Sequence, residues 1–182
     1  MRKEFSFLTA SFLLFSTVRA QQSSTGVHPS PAEEPEIDVP FIKSCCEKVE
    51  RDKRRIYYLN TRIFRMSMQL KGIYARDEML FFRLHLANHS HLDYDVDGIR
   101  FFIMDVPHAK NSLIGVRMVS PLYSYGNTRV IGGKSQQENI FVLPRFTLPP
   151  GKVLMIEASE KNGGRKLQLR TDNFTLLRSR LV

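Results

Sequence analysis

A stretch of alternating acidic residues is the part of the sequence whose residue types most resemble a metal site. In NHSHLDYDVDG, residues 88–98, three aspartates at alternate positions precede a glycine. An EF-hand calcium loop opens in the same way, with carboxylates at positions 1, 3 and 5 and a glycine at position 6. Counted from Asp93, however, positions 9 and 12 are Phe101 and Met104, which offer no oxygen ligand. The missing ligands favour a strand with a polar face over a calcium site.

The period of a strand accounts for the same residues without a metal. Successive side chains of a strand point to opposite faces, which places the three aspartates on one face and Tyr94 and Val96 on the other. The apolar positions then change phase at Gly98, and this change predicts a β-bulge. The negative charge of such a strand requires partners, for which we expect Arg100, Arg83 and a basic helix described below.

Three histidines nearly alternate through the same region, at His85, His89 and His91. Zinc requires three or four convergent ligands with supporting hydrogen bonds, and the sequence offers no further ligand at a suitable spacing. His85 lies between Leu84 and Leu86 at the polar phase of a strand, which predicts an exposed imidazole. The sequence predicts neither a metal nor another cofactor here.

Two cysteines, Cys45 and Cys46, are adjacent in the sequence. A disulfide between neighbours distorts the peptide, because the α-carbons of ordinary disulfides lie farther apart than one peptide link allows. We expect one buried and one partly exposed thiol; the alternative is a disulfide to another chain. The chain also lacks the G-x-S-x-G elbow of a serine hydrolase. No catalytic residue is predicted, and we expect a protein that is not an enzyme.

The beginning of the chain has the three parts of a secretory signal. Basic residues 2 and 3 precede an apolar run, residues 5–18, and then the small residues before a cut. We expect cleavage between Ala20 and Gln21 and export of the remainder. The apolar run is shorter than the approximately 20 residues that a membrane-spanning helix requires.

The charge of the exported part is basic, since residues 1–20 contain three basic residues and one acidic residue and the whole chain has a formal net charge of +9. The expected mature chain therefore carries +7. One local cluster, residues 48–55, is basic, but neither a zinc-finger spacing nor an aromatic RNA-binding motif accompanies it. The sequence does not favour direct binding of nucleic acid and favours envelope components or acidic protein partners.

Composition divides the remaining chain into three segments. Residues 21–40 are polar and rich in proline, which predicts a disordered tether. Ser44 and Glu47 have the spacing of a capping box, and the apolar positions that follow predict one amphipathic helix within residues 41–62. From residue 63 to residue 182 the apolar period is two, which predicts strands.

These strands are separated by turn signals, and no helical pattern lies between them. The strongest signal is the NGG sequence at 162–164, which predicts a hairpin with Glu160 and Arg165 paired across it. The predicted strands are 64–75, 78–88, 92–104, 113–120, 128–131, 139–147, 152–159, 165–171 and 174–179. The sequence therefore predicts an all-β fold, an antiparallel immunoglobulin-like β-sandwich preceded by one α-helix.

Two blocks of residues in this order carry a resemblance to a known family. They are Asn88, Ser90, Tyr94, Asp95, Asp97, Arg100 and Phe101 in the first block, and Glu160, Asn162, Gly163, Gly164 and Arg165 in the second. With the segment between them, they resemble the C-terminal half of the conjugative transposon protein TraN family of Bacteroidetes elements. The resemblance covers about residues 41–180. We expect no counterpart of the additional N-terminal domain of that family between the signal and the tether.

The resemblance implies a structural component of a conjugative DNA-transfer apparatus, a type IV-like secretion system. Such a component is not an enzyme, takes no cofactor or small-molecule substrate, and acts through contacts with other envelope proteins of the apparatus. It would reside in the periplasm or be held at the outer membrane by its partners. The alternative is an exported β-sandwich module that binds a carbohydrate or a peptide, because the fold alone does not select a function.

Overall fold

The computed structural model describes residues 38–106 and 115–182. The predicted signal sequence, its cleavage site between Ala20 and Gln21 and the tether up to residue 37 lie outside the described residues. Neither helix in the described ranges has the length and apolar content to span a membrane.

Two sheets form a β-sandwich, as the sequence predicts. The helices are α1 (Val39–Arg51) and α2 (Asn173–Leu177), and the strands are β1 (Asn60–Ile63), β2 (Met66–Arg76), β3 (Met79–Asn88), β4 (Tyr94–Asp105), β5 (Val116–Val119), β6 (Tyr123–Tyr125), β7 (Val130–Ile131), β8 (Gln136–Pro144), β9 (Lys152–Glu160), β10 (Lys166–Thr171) and β11 (Arg180–Leu181). Sheet 1 has the order β1-β2-β3-β8-β6, with β11 paired in parallel to β2. Sheet 2 has the order β10-β9-β4-β5, with β7 paired to β4.

Alternate residues of the two sheets form the main core between them. Phe101 on β4 lies at its centre, with ring centroids 5.6 Å from Phe82 of β3 and 5.4 Å from Phe141 of β8. Leu154 and Leu167 complete the sheet 2 side and are fully buried. The period of two in the sequence thus correctly indicates which side chains meet between the sheets.

The outer face of sheet 1 is apolar as well, and α1 covers it. The cluster at this contact contains Ile42, Cys45, Cys46, Val49, Tyr74, Phe81, Ile140 and Val142. Strand β3 is therefore buried on both faces, since Phe81 faces the helix and Phe82 faces the other sheet. This explains why β3 is an almost continuous apolar run rather than an alternating one.

Helix α1 differs from the predicted helix of residues 41–62 at both ends. Asp38 is the N-cap, and its side chain accepts a hydrogen bond from the Phe41 N–H at 2.9 Å. Pro40 is tolerated because the N–H groups of the first turn have no partner within a helix. Ser44 is not a cap but lies inside the helix and donates its hydroxyl to the Phe41 carbonyl. The helix ends at Arg51, and the chain continues in extended conformation.

The predicted strand of residues 174–179 is also wrong, because the short helix α2 occupies most of it. Asp172 caps this helix by accepting a hydrogen bond from the Thr175 N–H at 2.9 Å. Its apolar pair Leu176 and Leu177 does not share a face, for Leu176 is buried and Leu177 is exposed. The cap overrides the local β propensity at this position.

Two turn features agree with the sequence. The register between β4 and β9 shifts between Val96 and Gly98, which confirms the predicted bulge. Strands β9 and β10 pair as an antiparallel hairpin on either side of the NGG sequence. Asn162 within this turn has a positive φ of 54°, a conformation that asparagine tolerates better than most residues.

Neither thiol is exposed in this fold. Cys45 and Cys46 have relative exposures of 2% and 0%, are not bonded to each other, and lie in the contact between α1 and sheet 1. The prediction that one of the two thiols is partly exposed is therefore wrong. A disulfide to another chain would require α1 to leave the sheet. Burial, together with the neighbouring Cys45, raises the pKa of Cys46 to about 12.

We expect both thiols to resist alkylation in the native protein, since both are buried beneath α1 and out of reach of the reagent. Mass spectrometry after treatment with a maleimide tests this, with denatured protein as the control that should gain two labels. Rapid labelling of either cysteine without denaturant would contradict the packing of α1.

Candidate functional site

The two motif blocks meet at one end of the sandwich, where Arg165 connects them. Its guanidinium donates to Ser90 Oγ at 3.2 Å, to the Asp93 carbonyl at 2.5 Å and to Glu160 Oε1, with Nε at 3.0 Å. The Tyr94 hydroxyl in turn donates to the Arg165 carbonyl at 3.0 Å. The hydrogen bond from Arg165 holds the pKa of Glu160 below its ordinary value. The predicted pairing of Glu160 with Arg165 is confirmed.

Asn88 holds the loop on the other side of this junction. It is 2% exposed, and its amide nitrogen donates to the carbonyls of Leu92 at 2.7 Å and Ile131 at 3.1 Å. Ser90 Oγ donates to the Asn88 side-chain oxygen at 2.7 Å. Most of the motif residues that face this junction therefore bond to one another and position the loop.

The aspartates of the acidic strand have fewer partners for their negative charge than the sequence predicts. Asp97 accepts from Arg100 at 2.8 Å and from Ser159 Oγ at 3.2 Å, and the bond from Arg100 lowers the pKa of Asp97. Asp93 accepts from the Gly133 N–H at 2.7 Å. Arg83 and the helix α1 are not partners of these aspartates, because Arg83 belongs to sheet 1 and bonds elsewhere.

The histidines do not converge. His85 is half-buried rather than exposed, and its ring lies 3.2 Å from Gln136 Oε1; burial and the nearby Lys71 lower its pKa. His89 lies against Ser67 Oγ at 3.2 Å, while His91 is exposed. Within residues 38–106 and 115–182, no three His, Cys, Asp or Glu side chains are grouped so that they could hold a metal.

A buried charge network lies below the C-terminal end of α1. Arg83 and Lys71, each 6% exposed, both bond to the carboxylate of Glu138 on β8; the Arg83 Nε distance is 2.6 Å. Burial acts to raise the pKa of Glu138, but the hydrogen bonds from Lys71 and Arg83 outweigh it and lower the pKa. With two cationic side chains and one carboxylate, the network carries a net positive charge between the helix and the sheet.

The same guanidinium fixes the place where α1 ends. Arg83 Nη1 donates to the carbonyls of Val49, at 3.2 Å, and of Asp52. Carbonyls of the last helical turn have no partner within the helix, so a charged donor from the sheet satisfies them. The helix therefore ends at a defined point, and the chain after Asp52 continues toward strand β2.

Beyond this point the chain runs along the edge of β2 at a bulge. The Ile56 N–H donates to the Lys71 carbonyl at 2.8 Å, and the Leu70 N–H donates to the Leu59 carbonyl at 3.0 Å. The register of β2 shifts between Leu70 and Gly72, where an added Cβ would lie 2.6 Å from the ring of Tyr74. A larger residue at this bulge would have to displace the buried ring of Tyr74, which folds over Gly72.

A groove of about 360 Å³ lies where this segment meets the C-terminal segment of the chain, above Ile73. We call it the basic–aromatic groove. It is lined by Arg55, Ile56, Tyr57, Tyr58, Ile73, Thr175, Arg178 and Arg180. Tyr57 and Tyr58 are 74% and 67% exposed, and the Tyr58 hydroxyl lies 3.5 Å from Thr175 Oγ1.

Three arginines give the basic–aromatic groove its charge. Arg55 and Arg178 are exposed, and the guanidinium of Arg178 lies 5.0 Å from the ring centroid of Phe174. Arg180 lies 3.7 Å from a carboxylate oxygen of Asp52, and its buried Nη1 donates no hydrogen bond to the described residues. Arginine pairs strongly with carboxylates and stacks on aromatic rings. The groove is suited to an anionic, extended ligand such as an acidic peptide.

The sequence indicated only part of this site. The sequence predicts that the basic cluster of residues 48–55 lies on one helix, whereas α1 ends at Arg51 and only Arg55 of the cluster lines the groove. Arg178 lies in the segment predicted to be a strand, residues 174–179, and Arg180 directly follows that segment. The adjacent Tyr57 and Tyr58 were a usable signal, since neighbouring large aromatics in a short extended segment cannot both be buried on one face.

The buried network generates a stability prediction. Replacing Glu138→Gln leaves Lys71 and Arg83 without their counter-charge, so we expect a loss of about 3 kcal/mol in the free energy of unfolding at neutral pH. Because the pKa of Glu138 is depressed in the folded state, its stabilisation is present above the ordinary glutamate pKa and disappears as pH falls. The difference between variant and native protein should therefore shrink in acid.

Urea unfolding at several pH values measures this effect. A suitable control is Glu78→Gln, because Glu78 is 81% exposed and pairs with Arg145 at 2.8 Å on the surface. It should cost less than about 1 kcal/mol. Equal losses for the two variants would contradict the role assigned to the buried network.

The comparisons with known proteins agree with the extent of the folded region. Comparison with curated proteins gives no match. A family model described as a domain of unknown function, DUF4138, matches residues 41–181. The match begins in α1 and ends in β11, so it includes both sheets, the charge network and the basic–aromatic groove. The chain therefore belongs to the DUF4138 family of domains of unknown function.

Proposed function

We propose that this protein is a non-enzymatic, exported component of a conjugative transfer apparatus and that it acts by binding another envelope protein in the basic–aromatic groove. The observation that carries the proposal is the groove itself, where Arg55, Arg178 and Arg180 surround two exposed tyrosines. Arginine and tyrosine, together with tryptophan, are enriched among the residues that dominate protein–protein binding energy.

The resemblance to the TraN family supports the place of this protein in such an apparatus. The resemblance covers about residues 41–180, almost the same part of the chain that the DUF4138 model matches. The match to DUF4138 does not itself identify a TraN protein. The signal-like sequence at residues 1–20 supports a location in the periplasm or, through partners, at the outer membrane.

The use of the motif residues also supports a contact function. The polar groups of Arg165, Glu160 and Asn88 bond to their own chain, and such groups are not free to act on a substrate. Their role is to hold the end of the sandwich in shape. In this account, the rigid sandwich presents the groove, and binding of a partner needs no chemical step.

The alternative function, a binding module for carbohydrate, has one observation in its favour. Tyr57, Tyr58 and Phe174 are exposed aromatics in or beside the groove, and sugar rings stack on such surfaces. Three arginines, however, favour a charged ligand over a neutral sugar. An acidic peptide therefore fits the groove better.

Purification of the protein from its native envelope tests the proposal. We expect mass spectrometry to find other subunits of the transfer apparatus bound to the native chain. Reversing the groove charges in the double variant Arg55→Glu and Arg178→Glu should remove most of these subunits, because both guanidinia would be replaced by carboxylates.

The matched control is Arg129→Glu. Arg129 is an exposed arginine outside the groove, beside β7, and its reversal should leave the bound subunits in place. Recovery of no apparatus subunit with the native chain would contradict the proposed function. Equal loss with both charge reversals would contradict the assignment of the contact to the groove.

A further inference from the structure

The turn between β1 and β2 exposes two large apolar side chains between two arginines. Residues 62–65 have the sequence RIFR, and all four are exposed. Ile63 and Phe64 have relative exposures of 42% and 61%, and neither belongs to the apolar clusters of the described domain. Ile63 pairs with Met66, so Phe64 and Arg65 alone connect the two strands. The end of this hairpin therefore presents an apolar tip with a positive charge on each side.

The backbone of this turn is not the one that its residues prefer. Phe64 and Arg65 have φ values of 50° and 61°. Two-residue hairpin turns with positive φ at both positions strongly prefer Asn-Gly, and a bulky residue in this conformation is strained. Because most of the Phe64 side chain is exposed, packing within the domain does not compensate the strain. Retained backbone strain is typical of functional contacts.

A pocket of about 430 Å³ adjoins the turn, and we call it the basic pocket. Among the described residues, those that line it include Arg62, Arg65, Lys134 and His89, and none is acidic. Within residues 38–106 and 115–182, the guanidinium groups of Arg62 and Arg65 have no hydrogen-bond or ion-pair partner. The pocket therefore concentrates positive charge that the domain itself leaves without a counter-charge.

Backbone hydrogen bonds join the turn to the two loops beside it. The His89 N–H donates to the Arg65 carbonyl at 2.7 Å, and the Lys134 N–H donates to the Ser90 carbonyl at 2.9 Å. Lys134 Nζ donates to the His89 carbonyl at 3.0 Å, and the His89 ring lies 3.2 Å from Ser67 Oγ. The turn and the basic pocket thus form one connected surface.

An anionic lipid surface matches both parts of this site. Arginine binds phosphate groups through paired hydrogen bonds, and apolar side chains flanked by cations enter the boundary between headgroups and acyl chains. Free phosphate would fill the basic pocket but would leave Ile63 and Phe64 in water. A protein partner would have to supply acidic groups and a separate apolar pocket, whereas a membrane offers both along one plane.

We propose that the β1–β2 turn docks on an anionic lipid surface. Ile63 and Phe64 insert between the headgroups. The basic pocket binds a lipid phosphate through Arg62, Arg65 and Lys134. This contact goes beyond the proposed function, because it attaches the sandwich to a membrane directly and does not require the partner of the basic–aromatic groove.

A single tryptophan tests the insertion, because the sequence contains none. In the exported chain, residues 21–182, Phe64→Trp places one indole at the tip. Vesicles of phosphatidylglycerol and phosphatidylcholine in equal parts should shift its emission to the blue, and lipids brominated in their acyl chains should quench it. Vesicles of phosphatidylcholine alone should do neither. Met118→Trp is the control, since Met118 is 59% exposed on β5, and its emission should not change.

Flotation with the same anionic vesicles at physiological salt tests the basic pocket. The double variant Arg62→Gln and Arg65→Gln should bind about tenfold to thirtyfold more weakly, the loss expected for two basic residues at an anionic surface. The matched control, Lys43→Gln and Lys48→Gln, removes the same charge from the exposed face of α1. This helix packs on Tyr74, eight residues along β2 from its start. That distance of about 25 Å exceeds the screening length of about 8 Å, so the control should bind like the native chain.

A relaxed turn separates lipid binding from stability. The double variant Phe64→Asn and Arg65→Gly supplies the residues that this turn geometry favours, so the unfolding temperature should stay the same or rise. Vesicle binding should nevertheless fall by about tenfold or more, because the apolar tip and one cation are gone. Native-like vesicle binding by this variant would overturn the proposal.

The remaining outcomes separate lipid docking from its alternatives. Equal losses in the two charge-removing variants would refute the site, because attraction would then come from net charge alone. Flotation without a blue shift or quenching at position 64 would also refute it, since the turn would not enter the lipid. A blue shift without vesicles that grows with protein concentration would assign the turn to a contact between two copies. That result, or no binding to anionic vesicles, would equally contradict the proposal.

Discussion

Burial of the outer face of sheet 1 beneath α1 is the constraint on which the rest of the structure depends. Strand β3 carries apolar side chains on both faces, with Phe81 toward the helix and Phe82 toward the second sheet. Exposing a side chain such as Ile42 or Val49 would cost about 1.5–3 kcal/mol each. The helix therefore cannot leave the sheet without a large loss of stability, and its position sets the course of the chain that follows it.

The charge network determines how far the helix extends. Arg83 reaches from the sheet to the last carbonyls of α1 and is itself held by Glu138. Residues 53–59 therefore continue beyond the end of the helix along the edge of β2. There they form hydrogen bonds with the β2 backbone beside the bulge at Gly72. The groove forms because α2 and β11 return to the same edge. The groove combines Arg55 from the first part of the domain with Arg178 and Arg180 from its last part. It therefore depends on the buried charge network that ends α1.

The sequence predicts the sandwich well and the helix poorly, for a physical reason. Period-two alternation directly reports which side chains of a strand face the core, and it located β2, β4 and β9 together with the bulge at Gly98. The ends of α1 depend instead on Asp38 and on Arg83, which lies 34 residues beyond the carbonyl that it caps. Such a long-range cap leaves no local signal. The groove depends on the same long-range contact, so only its exposed tyrosines were recognisable.

We propose that the partner binds in the basic–aromatic groove and not on another surface of the sandwich. A photoreactive amino acid placed at Tyr57 in the native envelope measures this directly, with Leu92 as the comparison because both side chains are 74% exposed. We expect a cross-link to a transfer-apparatus protein from Tyr57 and none from Leu92. A cross-link of equal yield from both positions, or one from Leu92 alone, would contradict it.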